Sequence, residues 1–408
     1  MDFMKRIDER LGKILEYAPI TETEGQKLLQ EALDISLRSK AANLAHDTIE
    51  ALRKTDSPLT TLTSMGQSVR SLMASGVGEV SSVLDGIEDF VLALRSANQV
   101  VPTPFPEFNA RIGGGLRNKT LTLIASAAAG GKTTLASYTA DYAASLGYPV
   151  LYISMEMAKH DLIERSLARI GNYSVDLLRD KENLDSEIIT SSMHTYFGAI
   201  APNMFIVEGG YDTTPAWIAS AIAQIRARLN VTEDTPFLVV IDYVQLLNTG
   251  IEALDTVSGE TAKVSELANM ARRLARDSSV AVLGISDITK EEYAKSTKET
   301  GLSYNSLRGS SRLGHSADIV LYLYSEQSIA QGGKAKHDPW AICEQNLGKG
   351  FGHQDILERI SKARTQFTPG GPSGAAYARL EFGKNRNGPC GVSIPLIYHK
   401  AYHKMTEI

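Results

Sequence analysis

The segment IASAAAGGKTTLA at positions 124–136 contains the residue types of a phosphate-binding loop. Gly131, Lys132 and Thr133 match the second half of the usual pattern Gly-x-x-x-x-Gly-Lys-[Ser/Thr], whereas the first glycine is replaced by Ser126. In such a loop the backbone N–H groups bind phosphates, the lysine reaches the β- and γ-phosphates, and the hydroxyl holds Mg²⁺. The pattern predicts a site for ATP and Mg²⁺, against the alternative of a glycine-containing turn without a ligand. The predicted ATP contacts are Ala129, Gly130, Gly131, Lys132, Thr133 and Thr134.

Two acidic residues are candidates to complete this site. Asp242 ends the apolar run FLVVID, and an acid in that place binds Mg²⁺ through water in phosphate-loop enzymes. Glu156 follows the apolar run VLYIS, at the end of a strand, where ligands of open α/β sheets bind. A carboxylate there can orient, or take a proton from, the water that attacks the γ-phosphate. The alternative for Glu156 is a glutamate that stabilises the amino end of a helix.

From about residue 118 the chain alternates short apolar segments with helical segments, and this alternation positions the loop and both acids. Strands that are apolar throughout are typical of a parallel sheet covered by helices on both faces. The predicted strands are 121–126, 150–154, 204–209, 237–242, 281–286 and 318–324, and the predicted helices are 132–146, 159–170, 215–229 and 260–277. Two further strands, 378–384 and 392–399, flank the turn sequence NRNGPCG and indicate a terminal antiparallel hairpin within 378–400.

Residues 1–98 show apolar residues at helical spacing and no strand pattern, which predicts an all-helical N-terminal region. Its last apolar stripe indicates a linker helix, which either packs within its own region or docks on a neighbouring subunit. The segment VVPTPFP at 100–106 predicts a boundary to a second domain at 99–408, because proline disfavours helix before it. Within that domain, residues 325–377 are rich in Gly, Lys and Gln and predict a surface insertion with one helix near 355–363.

The 408-residue chain has the composition of an ordinary globular protein, with 43% apolar and 22% charged residues. A net charge of −5 argues against a protein that coats nucleic acid, but it allows a local basic loop. The two cysteines, Cys343 and Cys390, exclude a disulfide framework, and the lack of a Cys-x-x-Cys pair excludes a zinc ribbon. No apolar run is long enough for a signal core or a membrane span, so we expect a cytoplasmic protein without a membrane partner.

Several segments, taken in order, resemble DnaB-type replicative DNA helicases of the RecA-fold superfamily, in their bacterial or bacteriophage form. They are TPFPEFNARIGGGL, the loop with GGKTT, VLYISMEM, LVVIDYVQLL, NSLRGSSRLGHSADIVLYLY and GKNRNGPCG. The similarity covers about 99–324 and 378–400, and in this family a small residue such as Ser126 often replaces the first glycine of the loop. The implied fold class is α/β, with a RecA-like parallel-sheet P-loop ATPase domain preceded by the helical region.

The resemblance implies a ring-shaped homo-oligomer, a hexamer, that hydrolyses ATP between subunits. Its implied substrates are single-stranded DNA and forked duplex DNA, unwound in the 5′–3′ sense, and its candidate partners are a primase and a helicase loader. Lys384 and Arg386 match the family's basic finger, and a rigid hairpin can place a guanidinium on the charge that develops at the neighbour's γ-phosphate. The alternative for these two bases is a hairpin with solvated side chains.

The segment around Arg308 matches the family's DNA-contacting loop. Backbone amides combined with one or two cations suit a grip on phosphates that ignores base sequence. The alternative is an ordinary solvated turn. The DNA-binding candidates are Arg308, Gly309, Ser311 and Arg312.

One motif departs from the family. Where the family commonly has Ser-Gln-Leu-Asn, this chain has Ser286, Asp287, Ile288 and Thr289. The family glutamine resembles a γ-phosphate sensor, so Asp287 is a sensor candidate with altered chemistry. Gln245 retains another polar position of the family and is the second sensor candidate.

Two other function classes remain open. A RadA-like branch-migration ATPase shares a similar finger, but that branch carries a zinc motif and a protease-like domain that this sequence does not show. A non-motor loader or assembly protein that switches with ATP is disfavoured by the complete set of loop, acids and finger. Asp287 is the one feature in favour of this non-motor class.

Overall fold

The computed structural model describes residue 65 and residues 100–180, 182, 186–210, 212–250, 255, 260–288, 311–325, 340, 354–366 and 374–408. The predicted helical region 1–98 and its linker helix therefore lie outside the described residues, apart from Met65. The described strands are β1 Val100–Val101, β2 Leu116–Arg117, β3 Leu121–Ser126, β4 Val150–Ser154, β5 Met204–Glu208, β6 Leu238–Asp242, β7 Ala281–Asp287, β8 Ile319–Ser325, β9 Ala375–Asn385, β10 Ser393–His399 and β11 Lys404–Glu407.

Nine strands form one sheet in the order β11-β10-β9-β8-β3-β7-β6-β4-β5, and β1 pairs separately with β2. The six strands from β8 to β5 in this order are parallel, as the sequence predicted. β9, β10 and β11 extend the sheet as antiparallel strands beside β8. The mostly parallel core means that several strands end at the same edge, where ligands of open α/β sheets bind.

Helices cover both faces of the sheet because the buried strands are apolar on both sides. In β4, Val150 and Tyr152 pack into one buried cluster, whereas Leu151 and Ile153 pack into the other. This alternation follows from the two-residue period of a strand. The described helices are α1 Pro106–Arg111, α2 Lys132–Ser145, α3 Lys159–Gly171, α4 Val175–Arg179, α5 Glu187–Thr195, α6 Pro215–Leu229, α7 Glu260–Asp277, α8 Ser311–Ser316 and α9 Gln354–Gln366.

The long elements agree with the sequence predictions, and the short ones were missed. All eight predicted strands are present, and the largest shift is in β9, which begins at Ala375 rather than at 378. The hairpin is not terminal as predicted, because β11 adds a further strand against β10. β11 has one buried apolar residue, Met405, among polar ones and so carries no strand signal. A two-residue strand such as β1 is likewise too short to show a period.

The predicted insertion at 325–377 is described only in part. Its helix is α9, which is longer than the predicted 355–363. Trp340 is fully buried, and its indole N–H donates to the carbonyl oxygens of Ala378 and Leu396 on β9 and β10. This part of the segment therefore packs on the antiparallel strands. Among the described residues, no helix has both the length and the apolar character that crossing a bilayer requires.

Candidate nucleotide site and basic finger

The parallel strands bring the predicted loop and acids to one edge of the sheet. Ser126 at the end of β3 pairs in register with Asp287 on β7, and Ser154 at the end of β4 pairs with Asp242 on β6. The phosphate loop leaves β3 and enters α2, and Glu156 follows β4 by two residues. Residues that are far apart in sequence are thus gathered at the carboxyl ends of four neighbouring strands.

The loop is built tightly around Ser126. Its hydroxyl oxygen is buried and has no hydrogen-bond partner among the described residues. A Cβ atom added at Gly130 would lie 1.9 Å from this oxygen and 3.0 Å from the carbonyl oxygen of Ala127. Gly131 has a φ of 97°, which a residue with a side chain adopts only with strain. Ser126 therefore fits in place of the first glycine because position 130 has no side chain.

We expect the variant Gly130→Ala to bind ATP about five- to 150-fold more weakly, because overpacking of this kind costs about 1–3 kcal/mol. The measurement is a titration with a fluorescent ATP analogue and Mg²⁺. The double variant Ser126→Gly/Gly130→Ala should recover part of the affinity, since it removes the closest contact, and Ser126→Gly alone should bind normally. A double variant as weak as Gly130→Ala would show that Ser126 does not limit the space at position 130.

Lys132 is held inside the loop by three acceptors. Its ammonium donates to the carbonyl oxygens of Ser126 and Ala127, each at 3.0 Å. It also forms an ion pair of 2.8 Å with Oδ1 of Asp287. An ammonium group has three N–H donors, so these three acceptors account for all of them. The ammonium of Lys132 therefore already lies inside the loop. Its third partner, Asp287, is the residue that departs from the family motif.

Asp242 and Thr133 lie side by side. The buried carboxylate of Asp242 accepts a hydrogen bond of 2.9 Å from the hydroxyl of Tyr152. Burial raises the pKa of Asp242, the hydroxyls of Tyr152 and Thr133 and the charge of Lys132 lower it, and the charge of Glu156 raises it further. Burial and the nearby Asp242 also keep the pKa of Tyr152 well above its ordinary value, so that this phenol remains a donor.

The donor set at Thr133 and Asp242 fits Mg²⁺. No group of three His, Cys, Asp or Glu side chains among the described residues could hold a metal by itself. Mg²⁺ does not need such a cage, because it is usually bound by one or two carboxylates together with waters and substrate phosphates. One carboxylate and one hydroxyl beside a phosphate loop are therefore the protein ligands that a nucleotide-bound Mg²⁺ would use.

Glu156 is presented on a turn that is fixed at both sides. The N–H of Met155 donates to the carbonyl oxygen of Asp242 at 2.7 Å, and the hydroxyl of Ser154 bridges to the N–H and carbonyl of Met157. The residue itself is exposed. α3 begins only at Lys159, so Glu156 lies outside its first turn. The charge of Glu156 acts on Asp242, which places the two carboxylates near each other.

Gln245, the second sensor candidate, lies on the short 3-10 helix Val244–Leu246 that follows β6. Its side-chain amide donates to the hydroxyl of Ser286 at 2.8 Å. It therefore links the segment after Asp242 to the residue before Asp287. Both sensor candidates belong to one connected group at the edge of the sheet.

The two bases of the predicted finger contact the segment that runs from the end of α8 to the start of β8. The ammonium of Lys384 donates to the carbonyl oxygens of Gly314 and His315 at the end of α8. The guanidinium of Arg386 is half exposed and lies 3.7 Å from Asp318, which also pairs with Arg272. Partial burial lowers the pKa of Lys384, and the neighbouring cations lower it further.

This finger lies at the opposite edge of the sheet from the phosphate loop. The N–H of Arg386 donates to the carbonyl oxygen of Asp318, and the carboxylate of Asp318 accepts from the N–H of Leu121 at the start of β3. The loop begins only after Ser126 at the other end of that strand, about 17 Å away at about 3.3 Å per residue. Arg386 therefore cannot reach a nucleotide in the loop of its own chain.

The DNA-binding candidates are only partly described. Arg308 and Gly309 lie outside the described residues. Ser311 and Arg312 form the first turn of α8 rather than a continuous loop, and their backbone alone is described. α8 ends at Ser316, beside the carbonyl groups that bind Lys384. The segment that carries the DNA candidates is thus connected to the finger by one short helix.

Three contributors to the site were missed in the sequence. Tyr152 supports Asp242, Asp318 holds the finger, and Tyr398 lies 3.2 Å from the hydroxyl of Thr134 in a hydrogen bond. Tyr152 and Tyr398 are polar-tipped residues in apolar strands, and Asp318 is an acid just before one. Such residues occur in and beside many buried strands, so the sequence alone did not mark them as part of a site. Only the order of the strands in the sheet shows which residues these side chains contact.

The comparisons with known proteins converge on one family. A profile of the family described as "DnaB-like helicase C terminal domain" matches residues 100–407. The replicative DNA helicase DnaB of Buchnera aphidicola subsp. Acyrthosiphon pisum is 25% identical over 281 residues, covering 67% of this chain and 58% of that protein. The replicative DNA helicase DnaB of Pasteurella multocida is 26% identical over 240 residues, covering 58% and 48%.

The fold has a match among solved structures. A DnaB-like replicative helicase, whose structure was reported with its interactions with primase, superposes with a TM-score of 0.67 at 19% identity, covering 98% of this chain and 82% of that one. At this identity the likeness concerns the fold. The chain spans about half the length of the curated relatives that it matches.

Proposed function

The chain belongs to the DnaB-like helicase C-terminal domain family, and on that premise we propose that it is a ring-forming replicative DNA helicase. It binds ATP with Mg²⁺ at the interfaces between identical subunits and uses hydrolysis to move along single-stranded DNA and to unwind a duplex fork. The proposed ATPase domain is the region 99–408, which follows the sequence-predicted helical region 1–98. A hexamer is the proposed assembly, with a primase and a loader as partners in the cytoplasm.

One observation carries the proposal: the loop and the finger lie at opposite edges of the same sheet. Lys132, Thr133, Asp242 and Glu156 are gathered at one edge, and Arg386 lies about one strand length, roughly 17 Å, from the loop. A guanidinium that is half exposed and out of reach of its own loop can act on the nucleotide of a second copy. This supports ATP sites built between subunits.

The chain's own residues have separate roles in the proposed reaction. Backbone N–H groups of Ala129 to Gly131 and the ammonium of Lys132 bind the phosphates. Thr133 and Asp242 would hold Mg²⁺, which would supply positive charge to neutralise the phosphates. Glu156 orients the attacking water and accepts its proton. The guanidinium of Arg386 from the next subunit, with Lys384 beside it, stabilises the charge on the transferred phosphoryl group.

The DNA contacts are proposed at Arg308, Gly309, Ser311 and Arg312, with Gln245 and Asp287 sensing the nucleotide. α8 connects this segment to Lys384 through the carbonyl oxygens of Gly314 and His315. Movement of the DNA segment is therefore transmitted to the finger, and hydrolysis depends on DNA. Backbone and phosphate contacts predict a grip without base preference, with affinity that falls as salt is added.

The test is ATP-dependent displacement of a labelled strand from a forked DNA duplex. We expect the wild-type protein to displace the strand and Lys132→Ala to fail, because the variant lacks the phosphate-binding ammonium. The matched control is Lys159→Ala, at the exposed start of α3. Strand displacement that persists in Lys132→Ala would show that this nucleotide site does not drive it.

A second candidate function is an ATP-switched assembly protein that does not unwind. The observation that favours it is the ion pair between Lys132 and Asp287, since the family motif has an uncharged glutamine there. This candidate predicts nucleotide-dependent assembly and DNA binding without strand displacement by the wild-type protein.

A further inference from the structure

The carboxylate of Asp287 holds the lysine of the phosphate loop. Its Oδ1 lies 2.8 Å from the ammonium of Lys132, and the two side chains are only 26% and 10% exposed. The contact follows from the fold, because Asp287 ends β7 in register with Ser126. The N–H of the next residue, Ile288, donates to the carbonyl oxygen of Ser126. The position of the carboxylate is therefore set by two neighbouring parallel strands.

The other two partners of Lys132 differ in kind from Asp287. They are the carbonyl oxygens of Ser126 and Ala127, which belong to the loop itself. A phosphate that approaches the loop needs at least one of the three N–H donors of the lysine. The anion of Asp287 is the partner that a second anion can replace, because it already makes the contact that a phosphate oxygen would make.

An ionised aspartate cannot do what an amide does at this position. The carboxylate is an acceptor only, whereas a glutamine side chain offers N–H donors to a phosphate. Asp242 feels the charges of both Glu156 and Lys132, and Asp287 adds a third carboxylate at this edge, paired with Lys132, so that the negative charges oppose an incoming polyphosphate. The site thus carries one carboxylate more than the Mg²⁺ ligand and the catalytic base require.

We propose that Asp287 competes with the nucleotide phosphates for Lys132, so that it sets nucleotide affinity and makes binding depend strongly on Mg²⁺. The inference rests on the proposed nucleotide site and deepens it. Binding of ATP breaks the ion pair and frees the carboxylate at the point where the chain leaves β7 toward the DNA-binding candidates. Asp287 is a positioning residue, because it acts through Lys132.

The experiment compares the equilibrium binding of a fluorescent, non-hydrolysable ATP analogue by the wild-type protein and by Asp287→Asn, with and without Mg²⁺. We expect Asp287→Asn to bind about five- to tenfold more tightly, the equivalent of about 1–1.4 kcal/mol for a partly exposed ion pair. Its loss of affinity on removal of Mg²⁺ should also be smaller than that of the wild type. The matched control is Asp212→Asn, an exposed aspartate in the loop before α6, which should bind like the wild type.

A double-variant cycle shows whether the effect passes through the lysine. In the Lys132→Ala background, Asp287→Asn should change the nucleotide affinity by less than about twofold, because the ammonium for which Asp287 and the phosphates compete is absent. Equal binding by the wild type and Asp287→Asn would overturn the inference and leave the nucleotide site standing. An equal gain with and without Lys132 would also overturn it, since the effect would then be general electrostatics.

The same titration separates this inference from the proposed function. If neither the wild type nor Asp287→Asn binds nucleotide, the proposed nucleotide site is wrong and the inference falls with it. If Asp287→Asn binds more tightly but strand displacement is absent in both proteins, the competition is real and the motor function is wrong. Thermal unfolding without nucleotide reports whether Asp287→Asn is folded, and Asp287→Gln provides a second uncharged variant.

Discussion

Replacement of Arg386 by alanine should lower the rate of ATP hydrolysis by about a thousandfold or more, which is the range for an arginine finger. Nucleotide affinity should change by less than about twofold, because the neighbour's guanidinium is proposed to act on charge that develops only in the transition state. Steady-state hydrolysis and analogue binding, measured on the same preparations, give the two values. Arg273→Ala, which removes an exposed arginine of α7, is the matched control.

A mixing experiment tests whether this finger acts on a neighbour. Neither Lys132→Ala nor Arg386→Ala should hydrolyse ATP alone, but a mixture should regain activity. In an equal mixture, about one interface in four combines an intact loop with an intact finger. A mixture that stays inactive although the subunits assemble together would contradict action across the interface. Hydrolysis by Arg386→Ala monomers would exclude the finger role altogether.

The variant Glu156→Gln should hydrolyse ATP about a hundred- to ten-thousandfold more slowly while it still binds nucleotide with Mg²⁺. Glutamine has the same shape as glutamate but cannot accept the proton of the attacking water. The turn that carries residue 156 is fixed through Met155 and Ser154, so the substitution leaves the backbone in place. Single-turnover hydrolysis with the nucleotide already bound isolates this step.

The control for this prediction is Glu233→Gln, which neutralises an exposed glutamate in the loop before β6. It should hydrolyse ATP at the wild-type rate. A parallel loss of binding and hydrolysis in Glu156→Gln would mean that the residue contributes to ligand binding rather than to proton transfer. A normal rate of ATP hydrolysis by Glu156→Gln would show that another residue is the general base.

The sequence was sufficient for the core of the fold and for the loop edge of the site. Long apolar strands and their helices were predicted within a few residues, and parallel strand order then brings Lys132, Asp242 and Glu156 to one edge. That part is predictable because each signal is local and parallel strands end on the same side. The family match at residues 100–407 agrees with the resemblance carried by the same segments.

The rest depends on contacts between elements that are distant in sequence. The ion pair of Lys132 with Asp287 needs β3 and β7 to be neighbours in register, which no local pattern reveals. The fit of Ser126 under Gly130 is likewise a matter of space rather than of residue type. Short elements such as α8 and β11 have too few residues to show a period.

In the proposed assembly, each ATP site joins the loop of one subunit to the finger of the next, and these lie at opposite edges of one sheet. Such a contact joins two different surfaces, so it is head-to-tail and has no two-fold axis. An open row of subunits always contains one ATP site fewer than it has subunits, because the last loop meets no finger. Closing the row into a ring adds a site without adding a subunit. Specific activity should therefore rise with protein concentration and reach its plateau when the rings are closed.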